Sequence, residues 1–277
     1  MTSTRMILAL VLMAANAAMA QEKIVFESHG TRQAVDGYFF KCTAENCKSA
    51  LVMTPTCAGT VDASGALNPG YQAMGNNGSQ RLNVFVIDHF SSRGRRQDCG
   101  TATSMKVSEN DRLNDVLGAY EMLAKRNDID PSRIAYTGFG GASPILALQK
   151  NVLKKLNGRP GFAAAVAFYP ICNELPYRLY DAYAPLLILH GEADNWNPIR
   201  TCRSLAEQQS TAPQTGKVEL VGYPGAHHAF TILNTPPGNW PGTNFTVGSD
   251  PAARADAFMR SREFIDRALA TGAASKN

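Results

Sequence analysis

The alternation of apolar and polar positions divides the chain into short apolar runs separated by amphipathic stretches. Continuous apolar runs are typical of strands that are buried on both faces, as in a parallel sheet. Glycine and proline lie between the runs and mark the turns. Strands are predicted within residues 23–28, 34–42, 49–55, 82–88, 128–138, 161–170, 184–198 and 217–225.

Amphipathic stretches between these runs predict helices at residues 108–128, 143–156, 199–209 and 250–270. In the first helix Leu113, Val116 and Tyr120 share one face, and Ser108 can cap its N-terminus. Strands that alternate with helices predict an α/β fold, with a mostly parallel central sheet and helices on both faces. Ligands in such folds bind beyond the carboxyl ends of the strands.

The segment 234–248 contains many proline, glycine and asparagine residues and is predicted to be a loop. It forms either part of the rim of the ligand site or a surface insertion.

The first twenty residues are typical of a secretory signal peptide, with cleavage expected after Ala20. Arg5 precedes an apolar run, and small residues follow at the cleavage site. The run is short for a membrane anchor, which is the alternative interpretation. We therefore expect a single mature domain over residues 21–277, periplasmic or secreted, with no membrane association after cleavage.

The composition narrows the classes of partner. The net charge is +4, and the longest basic run is the RGRR sequence at 93–96, which argues against nucleic acid as a partner. That run is either a solvated loop or an anion site. The sequence shows no metal-ligand spacing, so neither a metal nor a cofactor is expected. Nothing in it predicts the oligomeric state.

All six cysteines follow the signal peptide, and an even number in an exported chain predicts disulfides. Six cysteines allow fifteen full pairings, as general combinatorics requires. One hypothesis is favoured, in which two pairs follow neighbouring predicted strands and the third closes a short hairpin. Its pairs are Cys57 with Cys99, Cys172 with Cys202, and Cys42 with Cys47.

Three strand ends carry the residues that could perform chemistry. In chain order they are Gly140 after the strand RIAYTGF, Asp194 after LLILHGEA, and His228 after VELVGYPGAH. This is the order of nucleophile, acid and histidine in α/β-hydrolases. Taken singly, Asp194 could be a turn residue and His228 a loop residue, so the combination carries the argument.

The motifs RIAYTGF-x-G, PLLILHGEADNWNP and YPGAHHAF resemble the strand-end motifs of the dienelactone hydrolase family of α/β-hydrolases. The resemblance covers residues 35–268. It implies an α/β-hydrolase fold, hydrolysis of carboxylic ester or lactone bonds, and a small-molecule ester or lactone as the ligand.

The resemblance also implies roles for single residues. Asp194 matches the acid that orients the imidazole, and His228 matches the base. Cys57 and Ala58 match the loop that supplies one oxyanion-hole N–H, and Gly141 matches the residue that supplies the other.

Arg93 stands where the family tends to carry an Arg-Gly turn, and it is a candidate to bind a substrate carboxylate. The remaining histidines lack such a context and are interpreted as structural. They are His29, His89 and His190, while His227 fills the variable position before His228.

The family pattern requires a nucleophile at position 140, where this chain has glycine. Three explanations stay open. Ser143 could be a relocated nucleophile, although a serine there could equally cap the following helix. Asp194 and His228 could activate water above Gly140. Alternatively, the protein could be a pseudoenzyme that binds a small ligand without turnover.

Overall fold

The computed structural model describes residues 21–100, 104–173, 180–211 and 216–274. The predicted signal peptide, residues 1–20, lies outside these ranges. Within them, no helix is both long enough and apolar enough to cross a membrane.

An eight-stranded sheet forms the centre of the molecule, in the order β1-β2-β4-β3-β5-β6-β7-β8. The pairs β1–β2 and β2–β4 are antiparallel, and every other neighbouring pair is parallel. The strands are β1 Glu22–Glu27, β2 Ala34–Phe40, β3 Ala50–Thr54, β4 Asn83–Asp88, β5 Ile134–Phe139, β6 Ala165–Phe168, β7 Leu186–Gly191 and β8 Val218–Tyr223. Each overlaps a predicted run, and β3, β4, β5, β6 and β7 are buried along their whole length.

Helices cover both faces of this sheet, as the sequence predicts. They are α1 Pro69–Gly78, α2 Glu109–Ala124, α3 Ser143–Leu146, α4 Lys150–Leu153, α5 Ile199–Thr211 and α6 Pro251–Ala274. Side chains of α2 to α5 pack in one core cluster with one face, whereas α1 and α6 contribute to the cluster on the other. A small hairpin follows β8, formed by β9 Gly238–Asn239 and β10 Thr246–Val247.

The single helix predicted at 143–156 is wrong: two short helices, α3 and α4, occupy this stretch. The chain between them turns to pair with another segment, with Gln149 in extended conformation and bridged to Ala182. The N–H of Tyr183 donates to the carbonyl of Leu148, and the N–H of Lys150 donates to that of Asp181. This tertiary pairing replaces hydrogen bonds that a continuous helix would need.

Helix α1 was not predicted, because it has few apolar positions to create a period. Asn68 caps it by accepting the N–H of Gly70 at 2.9 Å. A Cβ at Gly75 would lie 2.5 Å from the ring of Phe40, so the helix approaches the sheet through a glycine.

The parallel strands bring their carboxyl ends to one edge of the sheet. Thr54 of β3 pairs with Gly138 of β5, and Phe139 pairs with Phe168 of β6. The loops that follow β3, β5, β7 and β8 therefore converge at this edge.

Candidate active site

The turn after β5 is an open elbow. Gly140 and Gly141 adopt φ values of +71° and +66°, and the N–H of Gly140 donates to the carbonyl of Phe168 at 2.9 Å. Such angles favour glycine. A Cβ at Gly140 would have no heavy atom within 4 Å. The space beside Gly140, where the resemblance places a nucleophile, is thus empty, and Gly140 lines a cavity of about 100 Å³.

Asp194 and His228, the predicted acid and base, lie in contact. Oδ2 of Asp194 is 2.8 Å from Nδ1 of His228. Oδ1 of the same carboxylate accepts the N–H groups of Trp196 and Asn197, which fixes its orientation. Both side chains are largely buried. With Nδ1 engaged, Nε2 is the ring nitrogen of His228 that remains for a ligand.

Aromatic rings hold the imidazole of His228 in place. Its centroid lies 5.0 Å from that of Tyr169 and 5.0 Å from that of Trp196. The preceding His227 is directed elsewhere, since its Nδ1 is 3.2 Å from the carbonyl oxygen of Ala193. His228 therefore lines the cavity, whereas the adjacent His227 does not.

The three predicted oxyanion-hole residues, Cys57, Ala58 and Gly141, all line the cavity. The N–H of Ala58 donates to Oγ1 of Thr56 at 3.3 Å. The N–H groups of Cys57 and Gly141 have no acceptor among the described residues. Of the three predicted donors, Cys57 and Gly141 therefore keep their N–H groups available for a ligand, whereas Ala58 does not.

Ser143 lies beneath the elbow and does not line this cavity. Its Oγ is 2.7 Å from the hydroxyl of Tyr136, which is in turn 2.9 Å from Oγ1 of Thr54. Burial raises the pKa of Tyr136 far above its ordinary value, so this hydroxyl chain stays neutral. The structure does not bring Ser143 together with His228.

Arg93 is likewise absent from the cavity wall. Its guanidinium pairs with both carboxylate oxygens of Asp115, at 2.8 and 2.9 Å, and donates to the carbonyl of His89 at 2.6 Å. Burial alone would raise the pKa of Asp115, but hydrogen bonds from His89 and Arg93 outweigh it and lower the pKa below its ordinary value. Arg93 thus serves a buried ion pair in this structure.

The other histidines make structural contacts. Nδ1 of His89 is 2.7 Å from Asp115, and Nδ1 of His29 is 3.3 Å from Glu121. His190 is fully buried, which lowers its pKa and keeps the ring neutral. Its Nδ1 lies 3.1 Å from the carbonyl oxygen of Gly191.

The loop 234–248 forms part of the cavity wall. Trp240 and Val247 line it together with Trp196. A backbone bridge joins His228 to Val247, and the ring of Trp196 lies 6.0 Å from that of Trp240. The loop therefore contributes to the wall of this cavity, which agrees with the first of its two interpretations.

The cavity wall also contains residues that were not predicted, and two of them are charged, Glu109 and Arg112. They lie in the first turn of α2, whose N-terminus follows the carboxyl end of β4. The signal was available, because a helix that follows a parallel strand begins at the same edge as the ligand site. The sequence pattern predicted only the apolar face of this helix and its N-terminal cap at Ser108.

Three disulfides join all six cysteines: Cys42–Cys47, Cys57–Cys99 and Cys172–Cys202. These are the predicted pairs. They indicate an oxidising, extracellular environment. Cys57 lies in the cavity wall, so the second disulfide supports the loop that carries the candidate oxyanion donors. Within the described ranges, no cluster of three or more His, Cys, Asp or Glu residues could hold a metal ion.

Comparison with known proteins agrees with this geometry. The model of the dienelactone hydrolase family matches residues 57–269. A dienelactone hydrolase-like promiscuous phosphotriesterase from metagenomic libraries is 16% identical, with a TM-score of 0.66, and the match covers 90% of this chain and 98% of that one. Esterase 2 of Thermogutta terrifontis is 19% identical, with a TM-score of 0.60, and the match covers 90% of this chain and 92% of that one. No curated protein matches the chain. The α/β-hydrolase fold is thereby confirmed.

Proposed function

Because this chain belongs to the dienelactone hydrolase family, we propose that it is an exported hydrolase of carboxylic ester or lactone bonds that uses water as the nucleophile. The observation that carries the proposal is the contact of 2.8 Å between His228 and Asp194 beside the empty space at Gly140. We infer that His228 is the base and Asp194 its orienting carboxylate, and the space beside them is suited to a water molecule.

In this mechanism Nε2 of His228 removes a proton from water above Gly140, and the water oxygen attacks the ester carbonyl carbon. The N–H groups of Gly141 and Cys57 bind the oxyanion that forms. Asp194 stabilises the imidazolium. The tetrahedral intermediate then collapses, and His228 returns the proton to the departing alkoxide.

Export is part of the proposal. The basic, apolar and small-residue pattern of residues 1–20 supports a cleaved signal peptide, and the disulfides fit the oxidising compartment that it would reach. The mature chain then begins at Gln21 and is either periplasmic or secreted. N-terminal sequencing of the exported protein tests the cleavage site.

The test of function is an assay on short p-nitrophenyl esters with the wild type, His228→Ala and a matched control, His227→Ala. We expect the wild type to turn over these esters, His228→Ala to abolish turnover and His227→Ala to retain it, because His228 contacts Asp194 whereas His227 contacts the carbonyl of Ala193. Wild-type activity that is indifferent to His228 would refute the site assignment.

A ligand-binding protein without turnover is the second candidate, and the glycine at position 140 is the observation that favours it. The variant Gly140→Ser separates the two. An inert wild type together with an active Gly140→Ser variant would mean that only the nucleophile is missing and that the wild type binds without hydrolysis.

A further inference from the structure

Glu109 places an unused hydrogen-bond acceptor in the cavity wall. Its side chain is 9% exposed. Oε2 accepts the N–H of Ala142 at 2.6 Å, just after the elbow. Oε1 is buried and has no hydrogen-bond donor among the described residues. A buried acceptor without a donor is costly, so this oxygen is suited to a ligand.

Arg112 balances the charge of Glu109 without satisfying that oxygen. Its Nε lies 3.6 Å from Oε1, too far for a hydrogen bond. The guanidinium is held by the protein instead, because Nε donates to the carbonyl of Val107 and the group lies 5.1 Å from the ring centroid of Phe90. The vacant acceptor therefore favours a neutral donor, such as a hydroxyl, over a cation.

The acceptor lies beside the residue that is expected to hold the substrate carbonyl. A Cβ at Gly141 would be 3.1 and 3.2 Å from the two carboxylate oxygens of Glu109. The carboxylate thus packs against the elbow backbone next to a candidate oxyanion donor. A ligand hydroxyl that reaches the Glu109 carboxylate must therefore be separated by only a few covalent bonds from the carbonyl carbon of the same ligand.

We propose that Glu109 selects esters or lactones whose acid part carries a hydroxyl group on carbon 2 or carbon 3. Oε1 accepts a hydrogen bond from that hydroxyl, and the analogue without it leaves the oxygen unpaired. An acid part with a carboxylate is disfavoured, since Glu109 repels it and Arg112 is already paired. The inference rests on the proposed function, in that it takes the cavity as the ester site.

Binding tests this selectivity without relying on turnover. The probes are non-hydrolysed amides in pairs, lactamide against propionamide and 3-hydroxybutyramide against butyramide. Trp196 and Trp240 are the only tryptophans of the chain and both line the cavity, so their fluorescence reports occupancy. In at least one pair we expect the hydroxyl form to bind about tenfold more tightly. Equal binding in both pairs overturns the proposal.

The variant Glu109→Gln tests the residue. Its amide oxygen can keep the bond to the N–H of Ala142, so that the amide nitrogen, a donor, faces the cavity. We expect the hydroxyl preference to fall at least threefold and succinamate, which carries a carboxylate, to bind about tenfold more tightly. Glu192→Gln is the matched control, because Glu192 forms an exposed ion pair with Arg203. We expect it to change neither the hydroxyl preference nor the affinity for succinamate.

The outcomes separate this proposal from the proposed function. A wild type that prefers hydroxyl amides but hydrolyses no ester contradicts only the hydrolytic mechanism. A wild type that hydrolyses simple esters and shows no hydroxyl preference contradicts only the role of Glu109. If Glu109→Gln lacks a cooperative thermal transition, the wild-type amide comparison decides alone.

Discussion

Asp194 holds the imidazole of His228 with one carboxylate oxygen and the backbone of its own loop with the other. Oδ2 lies 2.8 Å from Nδ1 of His228, and Oδ1 accepts the N–H groups of Trp196 and Asn197. The carboxylate is thereby prevented from rotating. The bond to Nδ1 fixes the tautomer that leaves Nε2 able to accept a proton.

Asp194→Asn should therefore lower kcat for p-nitrophenyl esters by at least about 100-fold. The amide oxygen keeps the two loop hydrogen bonds, and the amide nitrogen faces Nδ1 and favours the tautomer that cannot act as a base. Kinetics of the purified variant measure this, with the exposed Glu192→Gln as the control. Activity within twofold of the wild type would contradict the role assigned to Asp194.

Ser143→Ala should leave esterase activity unchanged and reduce stability. The Oγ of Ser143 hydrogen-bonds to the buried hydroxyl of Tyr136 and does not line the cavity, so its loss removes a structural hydrogen bond of about 1 kcal/mol. Urea unfolding and ester turnover measure the two effects. Loss of activity, together with labelling of Ser143 by a serine-directed phosphonate, would instead establish the relocated nucleophile.

Asp115→Asn should destabilise the protein by about 3–5 kcal/mol at pH 7, because it leaves Arg93 without its charged partner. The folded-state pKa of Asp115 lies below its ordinary value, so its contribution is present above about pH 4 and is lost as the pH falls further.

The difference in unfolding free energy between wild type and Asp115→Asn should consequently shrink as the pH falls below about 4. Urea unfolding at a series of pH values measures it. A difference that stays constant over this range would mean that the pKa of Asp115 is the same in the folded and unfolded states.

Replacing the disulfide Cys57–Cys99 by two serines should lower the unfolding free energy by about 2–4 kcal/mol. It spans 42 residues and holds Cys57 in the cavity wall, so ligand affinity should fall as well. The disulfide Cys42–Cys47 spans only 5 residues and is the matched control, with a smaller expected effect. Equal losses for both would argue against a loop-length origin.

The sequence was sufficient to predict features that depend on local pattern. The buried strands β3, β5 and β7 are continuous apolar runs, and the residues after them are fixed by the parallel topology. For this reason Asp194 and His228 could be placed together, and the pairs Cys57–Cys99 and Cys172–Cys202 could be inferred from neighbouring strands.

Features that depend on tertiary pairing could not be predicted in this way. The break between α3 and α4 is caused by pairing of Gln149 with Ala182, which are far apart in the sequence. Arg93 appeared available for a ligand because nothing in its local sequence shows that Asp115 meets it. Glu109 was hidden by its place in an amphipathic helix, where an acidic first-turn residue is ordinary.

Gly140 also has a consequence for the energetics of the elbow. Its φ of +71° lies in the left-handed region. A residue with a side chain is strained there by about 1–3 kcal/mol, whereas glycine adopts the conformation freely. The nucleophile elbow of α/β-hydrolases is generally a strained turn, whereas glycine at position 140 relieves this strain. Gly140→Ser would thus gain reactivity and lose folding stability, a trade-off confined to a single position of the chain.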